Sequence, residues 1–133
     1  KETVLLKDVR GYLNVTANDY WHYHYKFDET SAFRIKNIGE EMIDSLLINT
    51  VLPVLYAYGN YQRDPVYQSR ALAWLEEIAP EKNRITKGWG KTGMANLHAY
   101  DSQCLTELKT QYCDYKRCLD CAVGNALLRV GDC

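Results

Sequence analysis

The stretch EEMIDSLLINTVLPVLYAY, residues 40–58, decides the fold of this chain. Its apolar side chains recur at i, i+3, i+4 and i+7, which is the spacing of one face of a helix. The members of this stripe are Ile43, Leu46, Leu47, Thr50, Val51, Val54, Leu55 and Tyr58. The spacing predicts a long helix from about Glu40 to Tyr58, ended by Gly59 as its C-cap. Pro53 predicts a kink, because proline cannot donate the backbone hydrogen bond to the carbonyl of Asn49.

Shorter helical segments flank this stretch on both sides. Residues 4–13 carry apolar side chains at helical spacing, and Asp64-Pro65 is a typical start, with the acid as N-cap and the proline at the first helical position. Further helices are predicted from Asn83, from Asp101 as a cap, and from about Cys118 with a stripe that ends at Val130. The expected interruptions are at Pro80, Gly88, Gly90 and Gly93. The core is expected to include Leu47, Val51, Val54 and Leu75.

Residues Tyr20–Phe27 show a different pattern, because aromatic side chains alternate with other residues at period two. This pattern predicts an extended segment, paired with upstream residues or with the stretch around Phe33 to Ile35. His22 and His24 would then project from one face, either as a metal or acid–base pair or as an ordinary hydrogen-bonded pair. The predicted fold class is mainly α, an irregular bundle of about five helices with one short extended or β segment near the N-terminus, in a single domain over residues 1–133.

Composition gives no support to several classes of function, although a local basic patch would still permit nucleic-acid binding. The formal net charge of the 133 residues is −1, which gives no support to nucleic-acid binding from bulk charge. No stretch reads as a membrane span, since the best candidate, Leu46 to Gly59, falls short of about 20 apolar residues. The five cysteines are an odd number and fit a reducing compartment better than a disulfide framework. We therefore expect a cytoplasmic protein that does not associate with membranes.

The sharpest chemical signal is the cysteine cluster Cys113, Cys118 and Cys121. Thiolates at such spacing can hold zinc or an iron–sulfur cluster, and a bound zinc ion is one interpretation of the spacing. The candidates for a fourth ligand are His98, Cys104 and Cys133. The alternative is that these cysteines pack as small apolar side chains. Helix geometry places Cys121 opposite the apolar stripe of the last helix, which does not suit core packing.

Several short stretches, in order, resemble the C-terminal region of the bacterial domain-of-unknown-function family 2851. They are Tyr20-Trp21 with His24-Tyr25, Ile48-Asn49-Thr50 with Pro53, Ala57-Tyr58-Gly59, Glu81-Lys82-Asn83, Asp101-Ser102-Gln103, and Tyr112-Cys113 with Cys118, Cys121 and Gly124. The resemblance implies a C-terminal fragment of a larger protein, whose upstream part carries carboxylates of a nuclease-like metal site. The partner that it implies is this protein's own N-terminal domain, which would precede Lys1.

The function predicted from these observations is that of a non-catalytic helical scaffolding or interaction domain. The alternative is a metal-stabilised nucleic-acid-binding module, in which the cysteine site positions Lys109, Lys116 and Arg117 near phosphates. A third hypothesis makes the chain an enzyme through His22 and His24. The polar residues at element ends are expected to satisfy free backbone groups or to line a cleft. They are Asn49, Glu81, Asn83, Asp101 and Gln103.

Overall fold

The computed structural model describes residues 4–129, and these are mainly helical with one small antiparallel sheet, as the sequence predicts. The described residues contain seven continuous helices. Their segments are α1 (Leu6–Leu13), α2 (Asp19–His22), α3 (Glu40–Leu46), α4 (Leu52–Gln62), α5 (Pro65–Glu77), α6 (Arg84–Gly90), α7 (Ala99–Glu107) and α8 (Ala122–Arg129), with π-helical turns at Leu47–Val51 and Leu108–Cys113. The chain divides into two compact units, Lys1–Gln68 and Ser69–Cys133. Each unit is described by itself.

The predicted central helix is present but longer than expected. Segment α3, the π turn Leu47–Val51 and α4 form one helix over Glu40–Gln62. In the π turn the backbone N–H of Leu52 donates to the carbonyl of Leu47, five residues back. The turn ends two residues before Pro53, and such widened turns are one of the places where helices deviate from regular geometry. The predicted end at Gly59 is wrong, because the helix ends at Gln62 and Arg63 takes the left-handed conformation (φ 54°).

The π turn also shifts the buried face by one residue. Ile43 and Leu47 are buried before or at the turn, as predicted, but beyond it Leu52 and Gly59 are buried in place of Val51 and Tyr58. Val54 is 64% exposed, so its assignment to the core is wrong. One extra residue in the helix rotates every later side chain, which a regular 3.6-residue period does not anticipate.

Gly59 has a packing role instead of a capping role. A Cβ atom at this position would lie 2.9 Å from Cγ of Gln68 and 3.1 Å from the carbonyl oxygen of Asp64. The start of α5 follows the prediction, since the carboxylate of Asp64 accepts a hydrogen bond from the N–H of Val66 (3.0 Å). The absence of a side chain at Gly59 therefore lets the beginning of α5 approach α4 closely.

The predicted strand over Tyr20–Phe27 is corrected to a short helix and a hairpin. Segment α2 is followed by β1 (His24–Lys26), which pairs antiparallel with β2 (Glu29–Thr30) and not with the stretch around Phe33 to Ile35. Asn18 caps α2, because its side chain accepts a hydrogen bond from the N–H of Trp21. Asp28 has a positive φ of 62°, which permits the tight turn between the two strands. Local capping and turn chemistry therefore override the alternating pattern.

The second unit is built on α5, α6 and α7. Its buried apolar residues are Ala71, Trp74, Ile78, Ala99, Leu105 and Cys121, whereas Leu75 is half-buried. Segment α7 begins before the predicted cap, since His98 and not Asp101 holds the N-cap position. Gly88 and Gly90 lie inside α6 and do not break it, while Gly93 has a positive φ of 84° in the loop that follows.

The last helix also differs from its prediction. Segment α8 begins at Ala122 instead of near Cys118, and Val123 and Leu127 are exposed on it. Val130, which ended the predicted stripe, lies outside the described residues. The predicted buried face of this helix is therefore wrong for the residues that the structure describes.

The prediction that no stretch is long enough for a membrane span is wrong, because the helix over Glu40–Gln62 is long enough. It has 23 residues, a mean hydropathy of 1.3 in its most apolar 18-residue window, and only 28% of that window buried. By length and composition it could cross a bilayer. One such helix is weak evidence, because core helices of soluble proteins meet the same criterion.

Candidate functional site

The segment Glu81–Gly93, EKNRITKGWGKTG, builds the candidate site in the second unit. Asn83 starts α6, because its side-chain oxygen accepts hydrogen bonds from the N–H groups of Ile85 (2.9 Å) and Thr86 (3.0 Å). The hydroxyl of Thr86 accepts a hydrogen bond from the N–H of Asn83 (3.1 Å) and donates one to the carbonyl of Glu81 (2.9 Å). This reciprocal capping fixes where the helix begins and which way its faces point.

A second set of hydrogen bonds holds Glu81 in place. Its N–H donates to the hydroxyl of Ser102 (2.9 Å), and that hydroxyl donates to the side-chain oxygen of Asn96 (2.8 Å). The carboxylate of Glu81 accepts a hydrogen bond from the amide of Gln103 (2.7 Å). Ser102 is fully buried, so this network is part of the interior. Of the polar residues predicted at element ends, Glu81 and Gln103 thus bond to each other, and Asn83 satisfies the first backbone N–H groups of α6.

The basic residues of α6 lie along one face. Arg84, Lys87 and Lys91 follow one another at i, i+3 and i+7, and this spacing brings them onto the same side of a helix. Together with Lys82 they line a surface depression of about 590 Å³, which also contacts Asn83 and Gly88. We call this surface the cationic face. No acidic residue lies among its lining residues or anywhere between residues 82 and 91.

Within residues 4–129, the charges of the cationic face have no ion-pair partner. Among the described residues, none of the ion pairs involves Lys82, Arg84, Lys87 or Lys91. The nearest acid in sequence, Glu81, is held by Gln103. Four like charges that form no ion pair in the described part of the chain create a positive potential that attracts anions.

An apolar groove shares Arg84 and Gly88 with the cationic face. It has a volume of about 540 Å³ and is lined by Arg84, Ile85, Gly88, Trp89, Lys109 and Asp114. The indole N–H of Trp89 donates to the carbonyl of Leu105 (3.0 Å), which fixes the ring against α7. Lys109 lies in the π turn Leu108–Cys113 and forms an ion pair with Asp114. Such π turns often occur at functional sites.

The structure does not gather the predicted metal ligands into a metal site. Cys113 and Cys118 are exposed and Cys121 is buried. Within residues 4–129, no three His, Cys, Asp or Glu side chains form a group that would hold a metal ion. Cys133, a candidate fourth ligand, lies outside the described residues. The assignment of zinc to Cys113, Cys118 and Cys121 therefore gains no support from this geometry and stays a prediction.

The remaining candidate ligands have structural contacts. His98 caps α7 by accepting a hydrogen bond from the N–H of Asp101 (3.3 Å). The pKa of the Tyr100 phenol is raised above its usual value. The largest cause is the charge of the neighbouring Cys104 thiolate, followed by a hydrogen bond with Cys104. Burial and the charges of Glu76 and Asp101 add smaller contributions. These groups are therefore engaged within the fold of the second unit.

His22 and His24 do not project from one face of a strand, which corrects that expectation. His22 ends α2, is buried, and its Nδ1 accepts a hydrogen bond from the N–H of Lys36 (3.3 Å). His24 begins β1, and its ring stacks on Tyr20 at 3.9 Å between centroids while Nδ1 contacts the Tyr20 carbonyl (2.7 Å). Each imidazole has its own local partners, and the two form no common site.

The basic residues selected from the sequence differ from those that the structure brings together. Lys109 and Arg117 are paired with Asp114 and Asp120, respectively, whereas the cationic face lies on α6. The signal that would have identified it is the acid-free run of residues 82–91, with three basic residues at i, i+3 and i+7.

Comparison with known proteins gives one match. The model of a family described as "Protein of unknown function (DUF2851)" matches residues 1–84. No curated protein and no solved structure matches the chain. The matched residues include the start of the cationic face, Lys82 and Arg84. The resembling stretches from Asp101 onward lie beyond the match.

Proposed function

This chain belongs to the DUF2851 family, whose description gives no activity, and we propose that it is a non-catalytic module that binds nucleic acid through the phosphate backbone. The observation that carries the proposal is the cationic face, where four basic residues that form no ion pair among the described residues lie around one depression. Phosphate contacts supply most of the affinity of non-specific nucleic-acid binding, and they depend on local charge. The overall charge of −1 therefore does not oppose it. Unlike the metal-stabilised module considered from the sequence, this proposed module binds phosphates through the cationic face and does not require a bound metal.

The test compares two charge-matched variants. One replaces Lys87→Gln and Lys91→Gln in the cationic face, and the control replaces Lys7→Gln and Arg34→Gln in the other unit; all four side chains are exposed. We expect the unmodified chain to bind a fluorescent single-stranded oligonucleotide with a Kd of about 1–100 μM at physiological salt concentration. Anisotropy titration should show much weaker binding for the first variant and nearly unchanged binding for the control. Equal weakening in both would assign the effect to bulk charge and contradict the proposal.

A second candidate function is an interaction role for the first unit, in the cytoplasm, with the protein's own N-terminal domain as partner. The observation that favours it is the exposed apolar surface of α4, where Val54 is 64% and Tyr61 is 83% exposed. Contiguous apolar surface of this kind commonly marks a contact with another protein. The test is co-purification with the N-terminal region expressed as a separate polypeptide. Tyr61→Lys should abolish it, whereas Tyr12→Lys, at an equally exposed tyrosine of α1, should leave it intact; absence of co-purification with the unmodified chain would reject this partner.

A further inference from the structure

The apolar groove next to the cationic face has the features of a subsite for a flat ring. Its lining combines the side chains of Ile85 and Trp89, four residues apart on α6, with Gly88 between them. A Cβ atom at Gly88 would meet nothing within 4 Å, so the space above the backbone there is open. The hydrogen bond from Trp89 to Leu105 holds the indole in one orientation, which lowers the entropy lost when a ligand packs on it.

The groove and the cationic face form a continuous surface. Arg84 and Gly88 line both, so a ligand with phosphates on the cationic face has its attached groups next to Trp89. Asp114 at the groove disfavours a phosphate there, because its carboxylate would repel a second negative charge. The Lys109–Asp114 pair instead offers a donor and an acceptor to a polar ring edge. The arrangement separates a place for phosphate from a place for an uncharged ring.

From this geometry we infer that the groove receives an unpaired nucleobase stacked against Trp89, so that the ligand of the proposed nucleic-acid site is single-stranded. The inference rests on the proposed function and specifies its ligand class. Single strands bind to basic grooves that track the backbone and to aromatic rings on which bases stack, without a requirement for sequence. In a duplex the base faces are already stacked on one another, so only their edges can be reached.

The experiment uses three ligands with comparable numbers of phosphates: a single-stranded oligonucleotide, a duplex and inorganic polyphosphate. We expect the single strand to bind about tenfold or more tightly than polyphosphate, since each stacked base adds affinity. Trp89→Leu should remove this advantage while binding of polyphosphate is unchanged, and Trp89→Phe should retain most of it. Trp21→Leu, in the other unit, is the matched control.

A second readout does not depend on the stability of a variant. In the unmodified chain and in Trp21→Phe, the single strand should quench tryptophan emission and polyphosphate should not. Quenching in Trp21→Phe would report on Trp89, because the other remaining tryptophan, Trp74, is buried in the core. If polyphosphate and single strand bind equally and no quenching occurs, the base subsite is rejected while the phosphate site stands. If no polyanion binds at all, the proposed function fails, and the inference fails with it.

Discussion

At the scale of single residues, Leu47 shows what the central stripe contributes. Its side chain is completely buried within the π turn of the first unit. Leu47→Ala should lower the free energy of unfolding by about 2–5 kcal/mol, because the lost methyl groups leave a cavity. Val54→Ala, on the same helix but 64% exposed, should change it by less than about 0.5 kcal/mol. Urea denaturation measures both values, and equal losses would show that the shift of the buried face is misassigned.

Ser102 provides the corresponding test for the polar interior of the second unit. Its hydroxyl is the acceptor for the N–H of Glu81 and the donor to Asn96, and the side chain is fully buried. Ser102→Ala should cost about 1–3 kcal/mol, since it leaves buried polar groups without a partner. The control, Ser69→Ala, removes an exposed hydroxyl and should stay within about 0.5 kcal/mol. A neutral Ser102→Ala would mean that water replaces the hydroxyl at no cost.

At the scale of secondary-structure elements, Gly59 connects α4 to the start of α5. Alanine in place of glycine inside a helix normally stabilises by up to about 1 kcal/mol. Gly59→Ala should do the opposite and destabilise by about 1–3 kcal/mol, because the new methyl group would lie 2.9 Å from Gln68 and 3.1 Å from the carbonyl of Asp64. Gly11→Ala, in α1 with nothing within 4 Å of the added methyl, should stabilise. Thermal unfolding of the two variants should therefore shift in opposite directions.

The elements also show which features the sequence predicts and which it does not. Apolar periodicity predicted α1 and the central helix, and the Asp64-Pro65 pair predicted the start of α5, because these signals are local. The one-residue shift after Leu47–Val51 was not predictable from a regular period, since an inserted π turn leaves composition unchanged. The short helix α2 and the hairpin after it were not predicted, because the alternating pattern of aromatic side chains indicated a single strand. The capping preference of Asn18 and the turn preference of Asp28 outweigh that pattern.

The candidate site was only partly accessible from sequence. Asn83 and Glu81 were recognised as residues at element ends, but the relation of Trp89 to Lys109 depends on the packing of α6 against α7. Contacts of this kind join residues far apart in the chain, and no local spacing encodes them. The metal prediction for Cys113, Cys118 and Cys121 rests on their spacing alone and stays a prediction, since no group of three possible ligands is found among the described residues.

At the scale of the whole molecule, the proposed interaction role places the chain in the cytoplasm, whereas the helix over Glu40–Gln62 is apolar enough to span a membrane. Cell fractionation distinguishes these two locations. We expect the expressed chain in the soluble fraction after cell lysis and high-speed centrifugation. The physical reason is that the helix carries the buried core residues of its own unit, including Ile43, Leu47 and Leu52. A membrane span would expose these side chains to lipid and dismantle that core. Recovery in the membrane fraction, resistant to alkaline extraction, would contradict a cytoplasmic location.

The salt dependence of binding tests the nucleic-acid proposal for the molecule as a whole. Each phosphate neutralised on a single strand contributes about −0.7 to the slope of log K against log salt concentration, because bound counterions are released. Four basic residues on one face therefore predict a slope of about −3. Removing Lys87 and Lys91 should reduce it to about −1.4, whereas removing Lys7 and Arg34 should leave it near −3. Anisotropy titrations at increasing salt concentration measure the slope. A slope near zero would show that affinity does not come from phosphate contacts, and a slope equally reduced in both variants would move those contacts away from α6.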